Sequence, residues 1–352
     1  MWKSSSCCGL DIGLPQMKQH KKTTGSRRKT PWTDSSNATG LQKFIDRHNQ
    51  ENYYDKHPLV RDSDEWEFLN LMEAERCPYC GKEDISHFGY TASHIRRFRC
   101  GSCHRTFTVL TGTVFDSHKI PISEWIEFCL AIFREQSFTS TSKTNKNSYT
   151  TTRYWIEKLI MAVSGIQDGI ILHGTVYIDE TYIARIKRDL GRKEDGSLER
   201  GLGRNQICIG IGKDSEHVIC FAEGVAKPSA VRTVATFQDH IEHGSHLIHD
   251  GDKSHVRLIR ELGLTDEAYT TYYTSQLDDK DNPLDPINSE CASLKRFLRS
   301  HSGFSRDSLQ GLLDLYAFIR NPPHDPFEKI EILLKRALGL HAVLRFRDFY
   351  GK

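Results

Sequence analysis

Two C-x2-C motifs, Cys77-Pro78-Tyr79-Cys80 and Cys100-Gly101-Ser102-Cys103, restrict this chain more than any other feature. Each motif makes a tight turn that aims two sulfurs at one point, and two such turns complete a tetrahedral site. Gly81 and Gly101, each just after a Cys, suit the unusual backbone angles of such knuckles. So short a segment has too little core to fold alone, so zinc would supply on the order of 10–16 kcal/mol of folding free energy. Four thiolates leave no open position, so the expected zinc is structural. The remaining cysteines lack this spacing. Residues 1–10 carry one Lys and no apolar core, so they do not read as a secretory signal, and no apolar run is long enough to span a membrane. The thiols then belong in a reducing, cytoplasmic compartment.

Between and after the knuckles, basic and aromatic residues alternate: Arg96, Arg97, Phe98, Arg99, then Arg105 and Phe107. On a ribbon hairpin such residues face phosphate and base together, which makes these arginines candidate DNA contacts. The length of 352 residues favours two or three domains. Residues 1–40 hold seven basic and two acidic side chains and few apolar ones, and read as a disordered basic tail. A helical lead-in (41–76), the ribbon (77–115) and a helical segment (116–165) follow. That segment holds helices over 121–133, with Ser123 as a possible cap, and 153–163, joined by a polar stretch. The pair is compatible with a helix-turn-helix.

From residue 170 the texture becomes α/β. Strands are predicted at 175–179, 207–212, 217–225, 246–249 and 268–274, with helices at 229–242, 254–262, 288–299, 306–319 and 326–338. Asp179 and Asp250 each end an apolar strand, and a helix beginning Asn288-Ser289-Glu290 follows. A ribonuclease-H-like mixed sheet with helices, expected over 170–302 and followed by C-terminal helices (303–352), brings three such oxygen ligands to one edge. Magnesium or manganese suits hard oxygen donors and leaves positions open for phosphate. Glu180, on the opposite strand face, would act from behind the site. Asn288 and Glu290 compete as third ligand. Charge favours Glu290, whereas Asn288 shares a helix face with Lys295, seven residues on. Lys295 and Arg296 are candidate phosphate contacts, and the glycine-rich charged stretch 185–204 reads as a flexible loop suited to holding DNA.

With these residues assembled, the chain resembles zinc-ribbon transposases of bacterial insertion sequences, the ISXO-like group with a DDE-type nuclease domain. The matching pieces are CPYCG, RCGSCHRTFTVLTGTVFDSHKIPISEW, VYIDETYI, HDGDKSH and PINSECASLKRFLRSHSGFSRDSLQGLL, spanning Cys77 to Leu313. The resemblance implies a zinc ribbon, a helical DNA-binding segment and a ribonuclease-H-like core with Asp179 and Asp250 as the two catalytic aspartates. Members often place Asn third with Lys after it, which Asn288 and Lys295 fit. It further implies binding to terminal inverted repeats, metal-dependent strand cleavage and transfer on double-stranded DNA, and a homo-oligomer on that DNA. The alternatives are a nuclease that cuts without joining, or a zinc-ribbon DNA-binding regulator with an inert core.

Overall fold

The computed structural model describes residues 62–352 apart from 117–121, 186–189, 191–193, 198–204, 279–280, 303, 305 and 351–352. The basic tail, much of the lead-in and most of the charged loop 185–204 lie outside the described residues.

Helix α1 (Asp62–Asn70) leads into a three-stranded antiparallel ribbon of β1 (Ile85–Tyr90), β2 (Arg96–Cys100) and β3 (Thr106–Phe107), in the order β1-β2-β3. Asn70 joins helix to ribbon: its Oδ1 accepts from Arg96 N–H at 2.7 Å and its Nδ2 donates to the His94 carbonyl at 2.9 Å. The ribbon core is only Cys77, Phe98, Cys100 and Phe107, with the two rings stacked at 5.7 Å.

Three helices follow, not two: α2 (Ile122–Phe133), α3 (Phe138–Thr144) and α4 (Tyr149–Val163). The polar stretch expected between two helices contains α3 and the first turn of α4. Ser137 and Ser148 cap them, each hydroxyl accepting a backbone N–H three residues on. Ser and Thr are weak helix formers in isolation, but α3 buries Phe138, Thr141 and Ser142. Tertiary packing decides the matter. Nor does Ser123 begin α2. The helix starts one residue earlier, where the Glu65 carboxylate of α1 accepts the Ile122 N–H at 3.0 Å.

Strands β4 (Thr175–Ala184), β5 (Gln206–Lys213), β6 (Val218–Val225), β7 (His246–His249) and β8 (Thr265–Ala268) form one sheet in the order β6-β5-β4-β7-β8. The first three run antiparallel, while β7 and β8 lie parallel to β4. That order and sense is the ribonuclease-H-like arrangement. The parallel steps are made by α5 (Ala230–Phe237) and α6 (His255–Leu262). Beyond β8 come α7 (Thr271–Thr274), α8 (Asp285–Ser300), α9 (Leu309–Arg320), α10 (Pro326–Gly339) and α11 (Phe346–Tyr350). The strand expected at 268–274 is therefore corrected. The strand is Thr265–Ala268, exposed at every position, and the tyrosine-rich run after it turns helical. An edge strand with both sides wet needs no apolar alternation, so its polar sequence concealed it.

The sheet separates two cores. Val176, Ile178 and Leu247 pack with Phe237, Leu258 and Leu262 of α5 and α6. On the other side Ile209, Ile211 and Cys220 join α8 and α9 in a cluster that continues through α2, α4 and α10. The packing therefore runs unbroken across residue 165, where a domain boundary was expected.

Candidate active site

Strand pairing brings the two aspartates together. Thr175 is level with His246, Val176 with Leu247 and Tyr177 with Ile248. Asp179 stands two residues further on in β4 and Asp250 is the first residue after β7, near enough for its charge to act on Asp179. Asp179 shares the face of Tyr177, which packs against the cluster that includes α8. Asp179 Oδ1 accepts the Glu180 N–H at 2.8 Å, and its Oδ2 receives the Cys291 thiol at 3.5 Å. Burial, reinforced by the negative charges of Glu180 and Asp250, pushes the Asp179 carboxyl up to about 6. Asp250 is more open, its side chain 40% exposed, with Oδ1 accepting the Asp252 N–H at 2.8 Å.

Cys291 identifies the face of α8 that meets this pair. Asn288 lies three residues before it and Lys295 four after, so all three share one helix face; Asn288 and Lys295 are exposed. Glu290 is turned elsewhere. It is 1% exposed, held by the Arg320 guanidinium (Nε–Oε1 2.9 Å, Nη2–Oε2 3.0 Å), by the Tyr316 hydroxyl, and by Lys213 at 3.4 Å. Burial alone would raise its pKa, but Arg320 and Tyr316 hold the carboxyl below the usual range. Its lone pairs are committed to α9, which leaves Asn288 as the polar side chain at the start of α8 on the carboxylate side. Nothing in the sequence around Glu290 signalled that engagement.

Behind the pair, on the α6 side, Glu180 joins a hydrogen-bonded chain whose two histidines had no role in the sequence reading. Glu180 Oε1 meets His255 Nε2 at 2.9 Å, and His255 Nδ1 meets His249 Nδ1 at 2.9 Å. His249 Nε2 reaches Asp266 at 3.4 Å. A carboxylate only accepts, so His255 Nε2 donates to Glu180. The Gly251 N–H already points at His249 Nδ1 at 3.2 Å, so that nitrogen accepts and His255 Nδ1 donates as well. Burial opposes the charged form, yet Glu180 raises the His255 pKa; His249 is lowered by burial and by His255. His249, Asp250 and His255 lie close enough to suggest a metal site. As placed, the two rings also link Glu180 to Asp266, and His255 Nδ1 lies 3.8 Å from Asp250 Oδ1. The signal available beforehand was the pair of histidines flanking Asp250 in HDGDKSH.

The four ribbon cysteines converge as their spacing predicts. Sγ atoms of Cys77 and Cys103 lie 3.6 Å apart, as do those of Cys80 and Cys100. Four sulfurs about 2.3 Å from a zinc ion stand about 3.8 Å from one another, so the set fits zinc and is too open for disulfides. The two knuckles match. Gly81 N–H donates to the Cys77 carbonyl, and His104 N–H donates to that of Cys100, both at 2.9 Å. Gly81 takes φ +71, but its counterpart is His104 at φ +60, not Gly101. Gly101 lies under the exposed Asp84 side chain: a Cβ there would fall 2.2 Å from its carboxylate oxygen, which would have to swing away. The Cys103 N–H at Cys100 Sγ helps hold that thiol down to about 7.

On the outer ribbon face the guanidinium groups of Arg97 and Arg99 each lie 5.3 Å from the Phe88 ring, and Arg105 lies 5.0 Å from Tyr79. Arg96 differs, being paired with Glu73. Arg296 is paired with Glu135 at 3.4 Å. No described helix is long and apolar enough to cross a membrane.

No family model matches the chain. It is 25% identical over 275 residues to an uncharacterized protein in transposable element ISH50 of Halobacterium salinarum, covering 74% of this chain and 91% of that protein. Among solved structures it is similar to the catalytic domain of Mos1 mariner transposase, with 16% identity, a TM-score of 0.29, and 54% of this chain and 90% of that one covered. The Mos1 strand transfer complex gives 16% identity and a TM-score of 0.27 over 63% and 81% of the two chains. With scores this low, the fold assignment rests on the strand order itself.

Proposed function

We propose that the chain is a DNA transposase of the DDE type, whose ribbon and adjoining helices bind the ends of its own element. Its sheet centre, built from Asp179, Asp250 and Asn288, would carry out metal-dependent strand cleavage and transfer. The observation that carries this reading is the approach of Asp179, within β4, and Asp250, directly after the adjacent parallel β7, in a ribonuclease-H-like sheet. The ISH50 relative supplies the context of a mobile element.

The donor set suits magnesium or manganese. Asp179 is forced toward protonation by burial and neighbouring negative charge, a strain that a cation relieves, and half-open Asp250 leaves room for phosphate. A pair of such ions would polarise the phosphodiester and activate the attacking hydroxyl or water. The chain's own groups do the rest. The Glu180–His255 chain steadies the turn that carries Asp250, Cys291 packs against Asp179, and Lys295 stands on the same helix face for a flanking phosphate. Structural zinc in the ribbon would hold Arg97, Arg99 and Arg105 toward DNA, and the active form would be a homo-oligomer assembled on it.

A plasmid carrying the element's inverted repeats tests this. The full chain should nick and join those ends with magnesium or manganese and not with EDTA. Asp179→Asn should abolish both steps while leaving end binding intact. Cleavage without joining would favour the nuclease reading, and end binding with no cleavage at all would favour the inert regulator.

A further inference from the structure

Past β8 the chain shows aromatic surface that the site described above does not use. Tyr272 is 80% exposed and Tyr273 49% exposed, on the single turn of α7. The backbone fixes where they stand. Ala268 is level with His249, and the Tyr269 N–H donates to the His249 carbonyl at 2.9 Å. Gly251 runs so near that a Cβ there would come within 3.6 Å of Ala268 and 3.9 Å of Thr270. The chain thus leaves the sheet beside the turn carrying Asp250.

Tyr269 packs against the same core cluster as Tyr177, two residues before Asp179 on the carboxylate face. The Tyr273 ring lies 5.7 Å from that of Tyr269, tilted by 33°. One ring backs the other, and half of the outer one faces water. A flat, uncharged ring in this position has little to contact on an intact duplex, whose base faces are covered by their neighbours. An unpaired base offers a free face to stack on.

We propose that Tyr273, supported by Tyr269 and flanked by Tyr272, stacks an unpaired nucleotide next to the phosphodiester bound at Asp179 and Asp250. This rests on the transposase reading. Stacking of one base on an aromatic side chain is worth roughly 5- to 150-fold in affinity, and it costs least where the base is already unpaired.

The test uses the full chain with calcium, in a buffer that supports no cleavage. Two probes are compared: a blunt duplex, and the same duplex ending in a short single strand with 2-aminopurine at its first unpaired position. The wild type should bind the overhang probe at least fivefold more tightly than the blunt one, within the range given for one stacked base, and quench its fluorescence. Tyr272→Ala with Tyr273→Ala should lose both the preference and the quench and keep blunt-duplex affinity, while Tyr273→Trp should keep all three. Equal affinity for the two probes, or a preference that survives the double variant, overturns the stacking role and leaves the transposase reading standing. A wild-type chain that binds neither probe overturns both.

Discussion

The cysteine cluster and the carboxylate pair are built in opposite ways. All four thiols come from one short ribbon, close to tetrahedral spacing, and leave no position open. Asp179, Asp250 and the α8 face come from distant stretches of chain and are left partly exposed. A closed thiolate set suits an ion that holds a fold, while an open oxygen set in a well-packed domain suits an ion that meets substrate. The ribbon's four-residue apolar core contrasts with the extensive cluster behind the carboxylates. Metal should therefore matter to stability in one region and to chemistry in the other.

The largest effect should follow loss of ribbon zinc. Cys77→Ser with Cys100→Ser should remove bound zinc and unfold the ribbon, forfeiting on the order of 10 kcal/mol there. Hydrogen exchange should show the β1–β3 amides unprotected and the β4–β8 amides as protected as before. Loss of protection across both regions would break the comparison.

Next in size is Glu290. Glu290→Ala would leave the buried Tyr316 hydroxyl without its acceptor, while Arg320 stays partly solvated, and should cost about 1–3 kcal/mol in denaturant unfolding. Manganese binding measured by electron paramagnetic resonance should persist in the folded fraction, whereas Asn288→Ala should weaken it with little change in stability. The reverse order would move the third ligand to Glu290.

Asp179 sharpens the contrast through pH. Its folded carboxyl titrates near 6 against an ordinary 3.8, so the folded state favours the protonated form. Without metal, the resulting penalty is absent below about pH 4 and grows as pH rises to 6. Asp179→Asn should remove up to about 3 kcal/mol of it at pH 7.5 and almost nothing at pH 4. Thermal melts in EDTA at the two pH values check this. A stabilised variant without cleavage would mark a site that gives up stability for function.

The smallest effects belong to the ribbon surface. Arg97→Ala, Arg99→Ala and Arg105→Ala should each reduce the slope of log affinity against log salt by about 1. Arg96→Ala, which releases Glu73, and Arg296→Ala, which releases Glu135, should change it less.

How much was legible beforehand follows from the range of the forces involved. The cysteine spacing stated its own geometry because ligands three residues apart within one turn are related by local backbone alone. Gly81 takes the positive backbone angle expected of a knuckle, whereas Gly101 does not; its counterpart there is His104. Apolar runs marked β4, β5, β6 and β7, whereas polar β8 owes its form to backbone pairing with β7 and Ser/Thr-rich α3 to what it packs against.

The amino-acid sequence by itself determined the ligand types, the alternation that sends Asp179 and Glu180 to opposite faces, and the order of strands β4 to β7 along the chain. Only the tertiary structure decided that Asp250 comes near Asp179, that Glu290 is spent on Arg320 and Tyr316, and that His255 joins Glu180 to the turn behind Asp250. The physical reason is that period and spacing act between neighbours in the chain. Hydrogen-bond partners and buried charges are chosen by whichever groups the folded core brings within about 3 Å.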